Sequence, residues 1–244
     1  MDYLGLVYQA SSAIGGFAMP PQPLSKVKPD ASLHFDPGAL RHFPEFAKLI
    51  GQQIATWGYI DSFFTRMASN FLESDFEVVA AMLGAIASSK GKTGAIQAAA
   101  KHALPKDGYQ LFSAALKVIK PSRDRRNAFA HHLWARSDDL PDRMLLIDPS
   151  ALAQHTAAWT AHLKLKPGEL MQKMPRAYRD NAYVYRLTDV EESLEQAKDA
   201  FNLVGPLLMA LDYDSPGSQS WRAELSKKPS IQQALQKASG KNGQ

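Results

Sequence analysis

One stretch limits the fold of this chain more than any other. From Phe46 to Phe71 the apolar residues Phe46, Leu49, Ile50, Ile54, Trp57, Ile60, Phe64, Met67 and Phe71 recur at steps of three and four, the spacing of one helix face. Gln52, Gln53, Thr56, Asp61, Arg66 and Asn70 lie between them. So long and aromatic a stripe has to be buried against other elements. It predicts the central helix of a bundle, and its rings read as core rather than as a cofactor box. Tyr59 and Phe63 widen the stripe enough for part of it to face a second subunit. With 244 residues, 45% of them hydrophobic, the chain has ample material for one domain.

Around this helix the sequence divides into parts. Residues 1–44 read as an irregular N-terminal arm, because Gly15-Gly16, Pro20-Pro21-Gln22-Pro23, Pro29 and Pro37 interrupt any period. After the long helix, Asp75 is placed to cap a second one with Val79, Met82, Leu83 and Ile86 inward, and Ser88-Ser89-Lys90-Gly91 ends it. Thr93 is the expected cap of a third helix that runs to Leu104 before Pro105. A fourth carries Leu111, Phe112, Ala115, Leu116 and Ile119, and Pro121 breaks it and opens a fifth.

Beyond Trp134 the pattern changes. Met144–Ile147 and Tyr183–Leu187 are short runs of strand formers and are expected to pair as a small antiparallel ribbon. Ser150–Leu163 reads as helix and Lys164–Asn181 as loop. Thr188 to Glu191 resembles a capping box that opens a last helix, which Pro206 should kink. Residues 212–244 read as a basic, loosely ordered tail, with Arg222, Lys227, Lys228, Lys237 and Lys241 against Glu224. The predicted domain spans 45–211 with an insertion at about 135–187.

Composition removes several functional classes. Without cysteine there are no disulfides and no thiolate metal sites, and a cytoplasmic location is the natural expectation. No apolar run approaches the ~18 residues of a membrane span, and the N-terminus lacks the basic start of a signal peptide. A net charge of +4 permits a polyanionic partner. Gly91-Lys92-Thr93 ends like a P-loop, but the required earlier glycine is Ile86. His131 and His132 are adjacent and point to different helix faces, so no metal site is expected there. Asp138, Asp139 and Asp142 read as a turn. No cofactor is expected.

The chemistry lies in Pro121–Trp134, which holds Arg126 and Asn127 a few residues before His131 and His132. Asn127 and His131 are four apart, so on a helix the amide can hold one imidazole nitrogen. Arg126 and His131 are five apart, about 140° around a helix and ~7.5 Å along it. They converge only if Arg126 bends around the turn or if two chains pair. Arg125 and His132, seven apart, form a competing pair on one face. In the plainer alternative Arg126 pairs with Asp124 or with a carboxylate of another helix, and His131 packs against Trp134 in the core.

Arg126-Asn127-Ala-Phe-Ala-His131 resembles the Arg-polar-x3-His signature of HEPN domains, an all-helical superfamily, and the likeness covers about residues 45–134. The resemblance implies a mainly α, antiparallel helical bundle, here with a small two-stranded β insertion, that pairs two-fold so that both motifs share one cleft. It implies a metal-independent endoribonuclease, or a non-catalytic module binding a nucleotide, an inhibitor or another partner protein. Carried over, Arg126 is the family arginine, Asn127 its polar neighbour and His131 its histidine. His132 leaves the register open. Lys117, Lys120, Arg123 and Arg125 would give the cleft a positive rim for RNA.

Overall fold

The computed structural model describes residues 20–162 and 177–239. Among them the protein is mainly helical with one small antiparallel sheet. No helix among these residues is long and apolar enough to cross a membrane.

The predicted spine is present as α2, a 29-residue helix over Pro44–Leu72. Pro44 suits its first turn, where a missing N–H leaves no bond unmade. Glu73 ends it by turning left-handed at φ 48°, with its amide donating back to Ser69 and Asn70. The inward face carries Phe46, Ile50, Trp57, Ile60, Phe64, Met67 and Phe71. Ile54, read as part of that face, is largely exposed, and Tyr59 is 66% exposed with its ring edge-on to Phe201.

Helix α3 (Phe76–Gly84) starts after Asp75 as expected, but only Val79 and Leu83 are buried; Met82 is exposed. The next helix, α4 (Ser89–Ala103), begins earlier than predicted. Ser88 is its cap and accepts from the Gly91 amide at 3.0 Å. Pro121 does not divide two helices. Helix α5 runs without interruption over Lys106–His131, 26 residues. Ser122, beside the proline, is buried and receives the Trp57 indole N–H at 3.3 Å, so packing on both sides outweighs the lost backbone bond.

The sheet has five strands, not two. They are β1 (Gln22–Pro23), β2 (His34–Phe35), β3 (Leu133–Arg136), β4 (Met144–Ile147) and β5 (Ala182–Tyr185), in the order β1-β5-β4-β3-β2. The expected ribbon is the β4–β5 pair, with Met144 opposite Tyr185. Leu133 and Trp134, read as a helix end, form β3 and pair with β4. The two edge strands come from the segment read as an irregular arm, which also holds a one-turn helix α1 (Leu24–Val27) and a 3-10 turn at Ala39–His42.

All four β4 residues are buried, which explains an apolar run without alternation. On one face Met144 and Leu146 meet Phe46, Ile50, Phe129, Tyr185 and Val190. On the other, Leu145 and Ile147 meet Leu24, Ala31, Ala182 and Val184. Helix α6 (Pro149–His162) and a short α7 (Ala177–Asp180) complete this region. Most of the loop expected at 164–181 lies outside the described residues, as do Gly15-Gly16 and Lys241.

Helix α8 (Leu187–Leu211) packs along α2 and α5 and continues through Pro206. Its capping box is Arg186 with Asp189, not Thr188 with Glu191. The Arg186 amide donates to Asp189 at 2.7 Å. The predicted loose tail is ordered over two helices, α9 (Ser218–Lys227) and α10 (Pro229–Ser239). Its basic residues hid an apolar face: Leu225 and Ile231 are buried in the main core with Trp57, Phe112, Val204 and Leu207.

Candidate functional site

Helices α2, α3, α4 and α5 enclose a cleft of about 550 Å³. Phe64, Leu83, Ile96, Phe112 and Leu116 line its apolar part; Asp61, Lys92, Thr93, Arg123, Arg126 and His131 line its polar part. Because α5 is unbroken, Arg123 and Arg126 stand one turn apart on the same side of it. Trp57, locked by Ser122, forms part of the wall on the α2 side.

Arg126 is held in two directions. One terminal nitrogen donates to Asn127 Oδ1 at 3.0 Å and the other to Asp61 Oδ2 at 3.2 Å. Its Nε is buried and has no hydrogen-bond partner among the described residues. Arg123 donates to Thr93 Oγ1 at 2.9 Å, and the Thr93 hydroxyl donates to the Ser89 carbonyl. Thr93 is thus an orienting group inside α4, not its cap. Lys92 makes no ion pair among the described residues, yet it lies near enough to lower the pKa of Asp61, as do Arg126 and Arg123.

Crowding by protein at the cleft raises the pKa of Asp61, and this outweighs the three cations. The Asp61 side chain is nevertheless 58% exposed, so solvent screens both influences and the net rise is modest in energy.

Arg126, His131 and Arg123 are brought together at the cleft, Asn127 joins them only through its bond to Arg126, and the other predicted residues are not there. Arg125 points to α8, 4.0 Å from Glu192. Lys120 pairs with Asp124 on its own helix, outside the cleft. His132 is the C-cap of α5 and half-buried; burial lowers its pKa, with nearby Asp148 opposing and His131 reinforcing the shift. The cleft histidine is therefore His131, an exposed residue rather than a core one packed on Trp134. Asn127 holds the arginine, where the sequence suggested that it would hold the imidazole. Arg126 does pair with a carboxylate of another helix, as the plainer alternative had it, and that carboxylate is Asp61.

Asp61, Lys92 and Thr93 escaped the sequence reading. Asp61 sits among polar spacers of the long stripe, and 65 positions separate it from Arg126. Lys92 drew notice only within a false P-loop, and Thr93 there and as an expected helix cap. No protein-family model, curated protein or solved structure matches this chain.

Proposed function

We propose that the protein is a HEPN-type endoribonuclease that works as a homodimer without a metal ion. The observation that carries this reading is that Arg126 and His131 line one cleft, with Arg123 and Lys92 beside them. Guanidinium groups bind phosphate bidentately and offset the charge that develops on its oxygens. Imidazole exchanges protons near neutral pH.

The reaction uses the 2′-hydroxyl of RNA as nucleophile. One imidazole takes its proton as the 2′-oxygen bonds to phosphorus. The bond from phosphorus to the 5′-oxygen breaks, and a second imidazole protonates that oxygen. The products are a 2′,3′-cyclic phosphate and a 5′-hydroxyl. His131 of each protomer would supply the two imidazoles, with the two clefts joined across a two-fold axis.

A second reading, a non-catalytic module for a nucleotide or protein partner, draws support from the Asp61–Arg126 pair, which already occupies the guanidinium. RNA incubated with the protein in EDTA separates the two. The enzymatic reading expects cyclic-phosphate ends and a loss of about 10²–10⁴ in rate for His131→Ala with unchanged melting. Cutting that survives intact in that variant removes His131 from the chemistry; binding without any product favours the second reading.

A further inference from the structure

We infer that Asp61 is the resident counter-ion of an anion site built by Arg126, Arg123 and Lys92, and that an entering phosphate group displaces it. The inference rests on reading this cleft as a phosphate site, but not on cleavage.

Charge comes first. One carboxylate faces three cations: Arg126 pairs with it directly, and Arg123 and Lys92 act at longer range. Among the described residues the Arg123 side chain is bonded only to the Thr93 hydroxyl, and Lys92 makes no ion pair. The cleft thus keeps an excess of two positive charges after Asp61 is counted. A phosphate diester would offset one of them and a dianionic phosphate both.

Geometry adds to this. The Thr93 contact, made through one terminal nitrogen, holds the Arg123 guanidinium at the cleft. Arg126 has a buried Nε without a partner among the described residues, so Asp61 and Asn127 together do not satisfy it. Buried polar groups seldom remain in that state, so the guanidinium keeps hydrogen-bonding capacity that its two present partners do not use.

Exposure decides the role of Asp61. It meets Arg126 through one oxygen at 3.2 Å, and more than half of its side chain is exposed. It can therefore swing into water when a stronger anion arrives. Exposed ion pairs of this kind are weak, and its protein surroundings already disfavour its charge. A carboxylate meant to fix the arginine permanently would be buried and bidentate. Asp61 is neither.

The test uses the full chain and two probes at one low ionic strength, since salt screens such contacts. One probe is inorganic phosphate. The other is a labelled oligodeoxynucleotide, whose sugars lack the 2′-hydroxyl, so that the proposed attack cannot cleave it. Asp61→Asn, close in shape and partly solvent-facing, should bind roughly three- to tenfold more tightly, the size expected from losing a weak competing pair and a like charge. Lys92→Gln should bind more weakly by about the same factor. Tighter binding of the oligonucleotide alone identifies the phosphate as that of a strand; tighter binding of inorganic phosphate alone identifies a free anion. Equal or weaker binding of both by Asp61→Asn, with its melting intact, overturns the inference and makes Asp61 a support for Arg126. Unchanged binding by Lys92→Gln overturns the site as drawn, and so does absence of binding of both probes by every form. Should RNA survive uncut while Asp61→Asn binds more tightly, the nuclease reading falls and the anion site stands.

Discussion

Ile231→Ala tests whether the C-terminal segment belongs to the core. Ile231 is fully buried in α10, and α10 packs against α5, the helix that carries Arg126 and His131. The substitution deletes three carbon atoms. At ~0.8 kcal/mol for each buried methylene, transfer alone accounts for about 2.4 kcal/mol. A residual cavity adds to this, and buried isoleucine-to-alanine changes lose about 2–5 kcal/mol in all; about 3 kcal/mol is the expected value here. For a chain of this size, ~2–4 °C per kcal/mol places the melting temperature about 6–12 °C lower. Urea unfolding followed by circular dichroism measures the loss directly. The exposed neighbour Gln232 provides the control, since its replacement by alanine should stay within about 0.5 kcal/mol. A loss below about 1 kcal/mol for Ile231→Ala would mean that the last two helices are not part of the core.

Two further outcomes follow from the polar contacts. Gln53 is wholly buried and donates to Ser193 Oγ at 2.9 Å, while its Oε1 has no partner among the described residues. Ser193→Ala should therefore lose about 1–3 kcal/mol in denaturant unfolding, and Gln53→Leu combined with it should recover most of that loss; no recovery would show that the pair is not the source. Asp139 accepts from the Ser32 amide at 2.7 Å, the Ser32 hydroxyl at 3.0 Å and Lys28 at 3.1 Å, contacts that hold its pKa down at about 2. Its stabilisation is present above its unfolded value of 3.8 and is lost as pH falls through about 2. Asp139→Asn should lower the urea midpoint at neutral pH and converge with the wild type near pH 2; an unchanged gap across that window would exclude Asp139 as its cause.

Much of the helical plan was legible, because apolar residues at steps of three and four have one comfortable arrangement. The β4–β5 pair was legible from its two runs of strand formers. The errors share a cause. Pro121 and the lysines after Ser215 are strong local signals, and local signals lose when packing supplies more. Ser122 and Trp57 hold α5 together beside its proline. Leu225 and Ile231 dock helices that their basic neighbours had disguised. The edge strands were invisible because each has only two residues and forms only beside a completed β3 or β5.

The amino-acid order alone settled that this chain builds helices around Trp57 and that an arginine and a histidine stand close together near the end of one of them. It did so because both facts depend on residues a few positions apart, where helix geometry is the only rule needed. Which histidine enters the cleft, and that Asp61 meets Arg126 with Lys92 and Arg123 nearby, was decided by the packing of α2 and α4 against α5. Those partners are distant in the chain, and only the buried faces of whole helices bring their charges within reach of one another.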